Sequence, residues 1–181
     1  QYQADREYWL EKINHLPAAP RLPQLEPGEF SGTSHFERHE GTLAVDAWER
    51  LQARAQARNI SPSGVVALAL CEVLRCWSEE DRFTLNFPVS DRMPVTADID
   101  QVVGDFTNTL LVPYETAADD TLEVRGQQLQ GAIWQALDHR LFNGVEVLRE
   151  LARVRRSGGA PLMPIVLTSL LGHPGRHDVA L

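Results

Sequence analysis

The sequence is poor in the features that most often announce a function. It has only two cysteines. Cys71 and Cys76 stand five apart in a stretch of helical periodicity, which separates their Cα atoms by roughly 7.5 Å along the axis. That exceeds ordinary disulfide reach, and two reduced thiols suit a cytoplasmic protein. No apolar run approaches the roughly 20 residues that span a bilayer, and no secretory signal precedes the acidic, tryptophan-containing start. The expectation is a soluble intracellular chain with no membrane partner. Positive charge is also scarce: the formal net charge is −8, whereas nucleic-acid binding needs clustered Lys and Arg to displace counterions. The one basic cluster, Arg149 to Arg156, alternates with Leu148, Leu151, Ala152 and Val154 and reads as a solvated helix face with its C-terminal turn. No nucleic-acid partner is expected. Gly158-Gly159 lacks the following Lys-Ser/Thr of a phosphate-cradling loop, and there is no nucleophile elbow, internal repeat or low-complexity tract.

What is present is enough apolar material for a core. At 181 residues and 43% hydrophobic, the chain suits one domain or one lobe of a larger one. It opens on Gln1 without an initiator methionine, and Arg176 to Leu181 complete no helix or strand, so it reads as an excised segment. Residues 4–14 form a short predicted helix with Tyr8, Trp9 and Ile13 on one face. Pro17, Pro20, Pro23 and Pro27 then make a stiff, extended connector between two bodies. The division expected is residues 1–34 as helix and proline-rich linker, and 35–181 as the main lobe.

Within the lobe, helices alternate with strands. His35 to Val45 carries a modest strand alternation. Asp46 is expected to cap a helix to about Arg58 with Trp48, Leu51 and Ala55 on one face. Ser61-Pro62 is an N-cap followed by proline at the first helical position, and the apolar arc from Val65 to Trp77 predicts a deeply buried helix. Phe83, Leu85 and Phe87 alternate with Thr84 and Asn86 in a strand over 82–88. A polar, solvated loop follows to Asp100, then a strand over 106–114. Helices over 121–138 and 143–155 follow, the first weakened or allowed to pack closely by Gly126 and Gly131. The last strand runs from Met163 to Leu171. This order predicts an α/β fold, a mixed sheet flanked by helices. Trp48, Trp77 and Trp134, at helical spacings, are expected in the core.

Two segments stand out because polar groups sit among apolar neighbours where a purely structural strand needs none. One is Gly104-Asp105-Phe106-Thr107-Asn108, the other Pro164 to Gly172 with Thr168-Ser169 at its centre. The histidines carry less. His173, His177 and Asp178 have a spacing that would serve a metal on a helix, but Pro174 and Gly175 make a loop there, so no metal site is expected. His139, at a helix end, suits a terminal capping role.

The order of these landmarks resembles a known family. Leu16 to Pro23 resembles a proline-rich linker motif, and Ser61-Pro62 through Trp77-Ser78 a helix ending in tryptophan. Leu85-Asn86 with Arg92 and Pro94, then Gly104-Asp105-Phe106-Thr107, then Pro164 to Gly172, follow in the same order. Together they resemble the C-terminal lobe, with its preceding linker, of a heterocyclisation domain of a nonribosomal peptide synthetase, in the condensation superfamily. The Gly-Asp-Phe-Thr run and the Thr-Ser strand resemble the heterocyclisation variants in particular.

The resemblance implies a chloramphenicol-acetyltransferase-like fold. It also implies an enzyme that joins a carrier-bound acyl or peptidyl thioester to carrier-bound Cys, Ser or Thr and cyclodehydrates the product to a thiazoline or oxazoline. Substrates would ride on the phosphopantetheine of neighbouring carrier domains, with no cofactor bound to the chain itself. Partners would be the N-terminal lobe, carrier domains and an adjacent adenylation domain. The family's two-aspartate motif would belong to the other lobe, and its catalytic aspartate would fall past Leu181, leaving the isolated chain inactive.

Three residues are the catalytic candidates. The resemblance makes Thr168 the threonine of the cyclodehydration relay, although a β-branched residue satisfying a strand-end hydrogen bond would also suit the position. Asn86 offers an amide donor and acceptor to orient a substrate amide, or simply a bond to backbone. Asp105 is a conceivable general base, or a turn cap paired with Arg92. Arg92, Thr107, Asn108 and Ser169 are channel-lining or structural candidates. Two other functions stay open at this level: a non-catalytic lobe that docks carrier proteins, and a lobe of an ordinary condensation or epimerisation domain.

Overall fold

The computed structural model describes residues 1–24, 36–117, 119–156 and 161–171, apart from the side chain of Asp100. Five helices and two strands follow in the order α1 (Tyr2–Lys12), α2 (Val45–Gln56), α3 (Pro62–Trp77), β1 (Phe83–Ser90), β2 (Thr107–Tyr114), α4 (Leu122–Asp138) and α5 (Gly144–Arg155). A single 3-10 turn, Ile99–Gln101, lies between the strands.

The helix starts follow from side chains that satisfy the first free N–H groups. The Ser61 side chain accepts from Gly64 N with Pro62 at the first turn. Thr121 caps α4. Asn143 and Glu146 form a reciprocal capping box on α5. Asp46 does not play this part. Ala44 occupies the N-cap of α2 without a side-chain bond, and Asp46 lies one residue inside the helix, where it pairs with Arg50 at 2.7 Å.

β1 and β2 pair antiparallel over their full lengths, from Phe83 opposite Tyr114 to Ser90 opposite Thr107. Period-two alternation sends Phe83, Leu85 and Phe87 into the core together with Leu111, Leu129, Val147 and Leu151. Burial of each large apolar side chain contributes about 1.5–3 kcal/mol. α1 belongs to the same core. Trp9 and Ile13 are buried, Trp9 Nε1 donates to the His139 carbonyl, and the start of the proline segment lies along β1 through Thr84 N to Ala18 O at 2.9 Å. Residues 25–34 of the expected linker lie outside the described residues.

The last strand is much shorter than its sequence suggests. Instead of running from Met163 to Leu171, it makes one parallel bridge between Asn86 and Val166, so the sheet is mixed but small. The cause is on β1. Asn86 N donates to Ile165 O and Leu167 N to Asn86 O; the next rung would require an N–H at residue 88, which is proline. One step the other way, Thr84 N is already taken by Ala18. The chain leaves the ladder at Leu167.

Other expectations are also corrected. Residues 36–44 form no strand and are exposed throughout. Trp77 and Trp134 are 66% and 54% exposed and Trp48 is half-buried, because these side chains stand outside the helix faces that meet the core. Asp91 is not solvated but paired. The His139 backbone ends α4, while its ring stacks on Tyr8 at 3.7 Å and meets buried Asp5 at 3.3 Å. Of the two glycines in α4, Gly126 is the one in close contact: a Cβ there would stand 2.7 Å from Ile60 Cδ1, whereas Gly131 faces open space. Cys71 is buried and Cys76 exposed; burial pushes the Cys71 thiol up to about 12. Among the described residues no helix is long and apolar enough to cross a membrane.

Candidate functional site

Freed from the ladder, Thr168 to Leu171 form one wall of an open groove of about 470 Å³. The end of β1 (Pro88, Val89, Ser90), Thr107 at the start of β2 and Leu137 on α4 make the rest. Three predicted residues, Thr168, Ser169 and Thr107, therefore meet in one place although Thr107 and Thr168 are far apart in sequence. Thr168 is exposed. Ser169 turns its hydroxyl to Ser63, at the start of α3, with the two Oγ atoms 3.1 Å apart. The groove's polar side chains are all hydroxyls: Ser90, Thr107, Thr168 and Ser169.

Asn86, Asp105, Arg92 and Asn108 lie around this groove rather than on its lining. The Asn86 amide Oδ1 accepts from the Thr109 hydroxyl on β2, while its main chain carries the 165–167 segment. Asp105 accepts from Thr107 N at 2.8 Å; hydrogen bonds from Thr107, the side chain first and then the backbone, hold its carboxyl below the usual range. That is a turn cap, and Arg92 is not its partner. The Arg92 guanidinium donates to the carbonyls of Ile99 and Val102 and lies over the Phe106 ring at 4.0 Å, closing the loop that separates the strands.

Asn108 leads to a pair that carried no local signal in the sequence. Its Nδ2 donates to Asp91 Oδ2 at 3.1 Å and to the Arg140 carbonyl at 3.2 Å. Arg140 Nε in turn donates to Asp91 Oδ1 at 3.0 Å, and its Nη1 to Leu137 O. This ring of contacts ties the residue after β1, the start of β2 and the end of α4 together, and those elements build three walls of the groove. Only the three-dimensional approach of Asp91 and Arg140 reveals it. Ser63 was likewise hidden, although its place two residues after a capping serine marks it as fixed.

A second charged knot lies away from the groove. Glu72 on α3 accepts from Arg125 Nε at 2.8 Å and Nη2 at 3.1 Å and from the Tyr114 hydroxyl. Burial works to raise the Glu72 carboxyl, but the bonds from Tyr114 and Arg125 outweigh it and the net displacement is downward. Tyr114 is pushed up, by burial first and then by Glu72. Glu72, with Arg125, lines a larger apolar groove of about 790 Å³ between α2, α3 and α4 that contains none of the predicted site residues. Among the described residues no cluster of three His, Cys, Asp or Glu is placed to hold a metal; His173, His177 and Asp178 lie outside them.

The chain is similar to known proteins over most of its length. The condensation domain family model matches residues 1–172. Pyochelin synthetase PchF of Pseudomonas aeruginosa (strain PAO1) is 38% identical over 172 residues, which cover 94% of this chain and 9% of that protein. Phenyloxazoline synthase MbtB of Mycobacterium tuberculosis (strain H37Rv) is 38% identical over 93% of this chain and 12% of its own length. The chain thus spans about a tenth of these curated relatives. Among solved structures, the EpoB cyclization-docking bidomain from Sorangium cellulosum superposes with a TM-score of 0.81 at 37% identity, covering 94% of this chain and 34% of that one. The first condensation domain of the CDA synthetase shares the fold at 21% identity and a TM-score of 0.69. The chain belongs to the condensation-domain family.

Proposed function

We propose that this chain is the C-terminal lobe, with preceding linker, of a heterocyclisation domain, and that the groove at Thr168 is its contribution to the active site. The observation that carries the reading is the convergence of Thr168, Ser169 and Thr107 on one open groove in a chain related to cyclisation domains. The substrates are an acyl or peptidyl thioester on one carrier domain and Cys, Ser or Thr on the next, both held on phosphopantetheine. The N-terminal lobe closes the groove and an adenylation domain loads the acceptor.

In the first step the acceptor amine attacks the thioester carbonyl, a C–N bond forms and the donor carrier's thiol leaves. The acceptor's own thiol or hydroxyl then attacks the new amide carbonyl. The resulting tetrahedral carbon loses its former carbonyl oxygen as water, which takes one proton from the attacking group and one from nitrogen, leaving a C=N bond in the ring. The ring carries sulfur from Cys and oxygen from Ser or Thr. Donors are needed where the oxyanion develops and a relay is needed for the departing water. The Thr168 hydroxyl serves that relay, passing a proton to a carboxylate supplied from elsewhere in the polypeptide. Asn86 and Asp105 support the groove, Asn86 by carrying the Thr168 segment and Asp105 by fixing Thr107.

The all-hydroxyl lining of the groove also suits a second reading, a lobe that docks carrier domains without performing chemistry. One experiment separates the two. The parent module is reconstituted with a loaded acyl donor and loaded Cys, Ser or Thr, and the released product is weighed. A product lighter than the linear amide by one water is the expected result. A linear amide alone, or no product, contradicts the heterocyclisation reading.

A further inference from the structure

Thr168 lies on a segment with few supports. After Leu167 N donates to Asn86 O, no backbone bond among the described residues ties 168–171 to another element. On the upstream side Asn86 holds residues 165 and 167. On the downstream side the contact to another element is the hydroxyl pair of Ser63 and Ser169, 3.1 Å apart and partly buried.

Ser63 is a firm anchor. It follows Ser61-Pro62 in the first turn of α3, where the Ser61 hydroxyl accepts from Gly64 N at 3.0 Å. Gln130 Oε1, on α4, accepts from both Ser61 N at 2.9 Å and Ser61 Oγ at 2.8 Å. Gly64 is pressed against that same amide, so closely that a Cβ would stand 2.3 Å from Gln130 Oε1. This end of α3 is therefore locked to α4, and Ser63 offers a hydroxyl from a fixed place. A side chain held by its own packing is what a reacting group requires of its supports, since a small displacement is enough to cost rate.

We infer that Ser63 is a positioning residue for ring closure. Its hydroxyl, through Ser169, fixes the downstream side of Thr168 as Asn86 fixes the upstream side. The inference rests on the function proposed above. It makes a specific demand: losing the Ser63 hydroxyl leaves amide formation intact and slows only the step in which Thr168 takes part.

The test uses the intact parent module with loaded carriers, measuring linear and cyclised product separately. Ser63→Ala is well tolerated at an exposed or partly exposed helix position, so folding is preserved and thermal unfolding provides the check. The expected result is a fall of about five- to tenfold in cyclised product, the effect of one lost hydrogen bond, with linear product accumulating and the melting temperature unchanged. Ser63→Thr, which keeps a hydroxyl, restores cyclisation. Ser169→Ala also lowers cyclised product, and the Ser63→Ala/Ser169→Ala double variant forms no less of it than the Ser169→Ala single variant, as a shared contact requires.

Ring formation by Ser63→Ala at the wild-type rate would overturn the inference. So would an equal loss of both products with a lowered melting temperature, which is the mark of a merely structural role. A wild-type module that yields no cyclised product removes the proposed function and this inference with it, and that outcome is recognisable before any variant is made.

Discussion

Asn86 and Val166 form a parallel bridge that is closed on both sides, by Ala18 at Thr84 and by the missing N–H of Pro88. The bridge ends where the groove begins, so Pro88 decides that Thr168 lines a groove instead of extending a sheet. Pro88→Ala supplies the missing donor opposite the Leu167 carbonyl. The expected outcome is a new exchange-protected amide at residue 88 and a gain of about 0.5–1.5 kcal/mol in stability, accompanied by reduced ring formation as Thr168 is drawn towards the ladder. Hydrogen exchange on the variant measures the first effect directly.

Asp91 and Arg140 are expected to behave as one unit. Their side chains are 16% and 38% exposed, and Asn108 bonds both residues. Asp91→Ala or Arg140→Ala should each cost about 1–3 kcal/mol, and the double variant clearly less than the sum of the two. Urea unfolding of the four proteins closes the cycle; additive losses would mean that the pair is not coupled.

Glu72 gives the fold an acid limit. Its carboxyl lies below the ordinary value of 4.5 in the folded chain, so its contribution to stability is present above about pH 4.5 and is lost as pH falls through the depressed folded value. Denaturant midpoints measured across that interval should fall with pH. In Glu72→Gln, whose side chain does not ionise, the slope should be shallower and stability lower at neutral pH, because Arg125 keeps its charge without its partner.

Two glycines in helices should respond in opposite ways. A Cβ at Gly131 meets nothing within 4 Å, whereas one at Gly144 would stand 2.5 Å from the Thr109 carbonyl oxygen. Gly131→Ala is therefore expected to stabilise by about 0.5–1 kcal/mol. Gly144→Ala should destabilise by about 1–3 kcal/mol, since α5 must move away from β2. Thermal unfolding distinguishes the two signs.

Features governed by neighbours in sequence were legible from the residues alone. The Ser61-Pro62 start of α3, the alternation of β1 and the amphipathic faces of α4 and α5 each depend on a few consecutive residues, and each stands where the pattern puts it. The last strand was not legible, because its length depends on which edge of β1 it meets and on a proline that sits in another element. Nor were the tryptophans. Periodicity identifies an apolar face but does not say what covers it, and Trp77 and Trp134 are left outside the described core. Of the groove, Thr168, Ser169 and Thr107 were visible as polar residues in apolar runs. Asp91, Arg140 and Ser63 were not, since an ion pair across 49 residues and a hydroxyl contact across 106 leave no local trace.

The proposed role of Thr168 is in ring closure. Its direct test is Thr168→Ala in the reconstituted parent module, with the linear amide and the cyclised product quantified side by side. The expected result is that the linear product continues to form and accumulates while the thiazoline or oxazoline falls at least tenfold, the range typical of a lost proton-transfer group. Undiminished ring formation by the variant would contradict it.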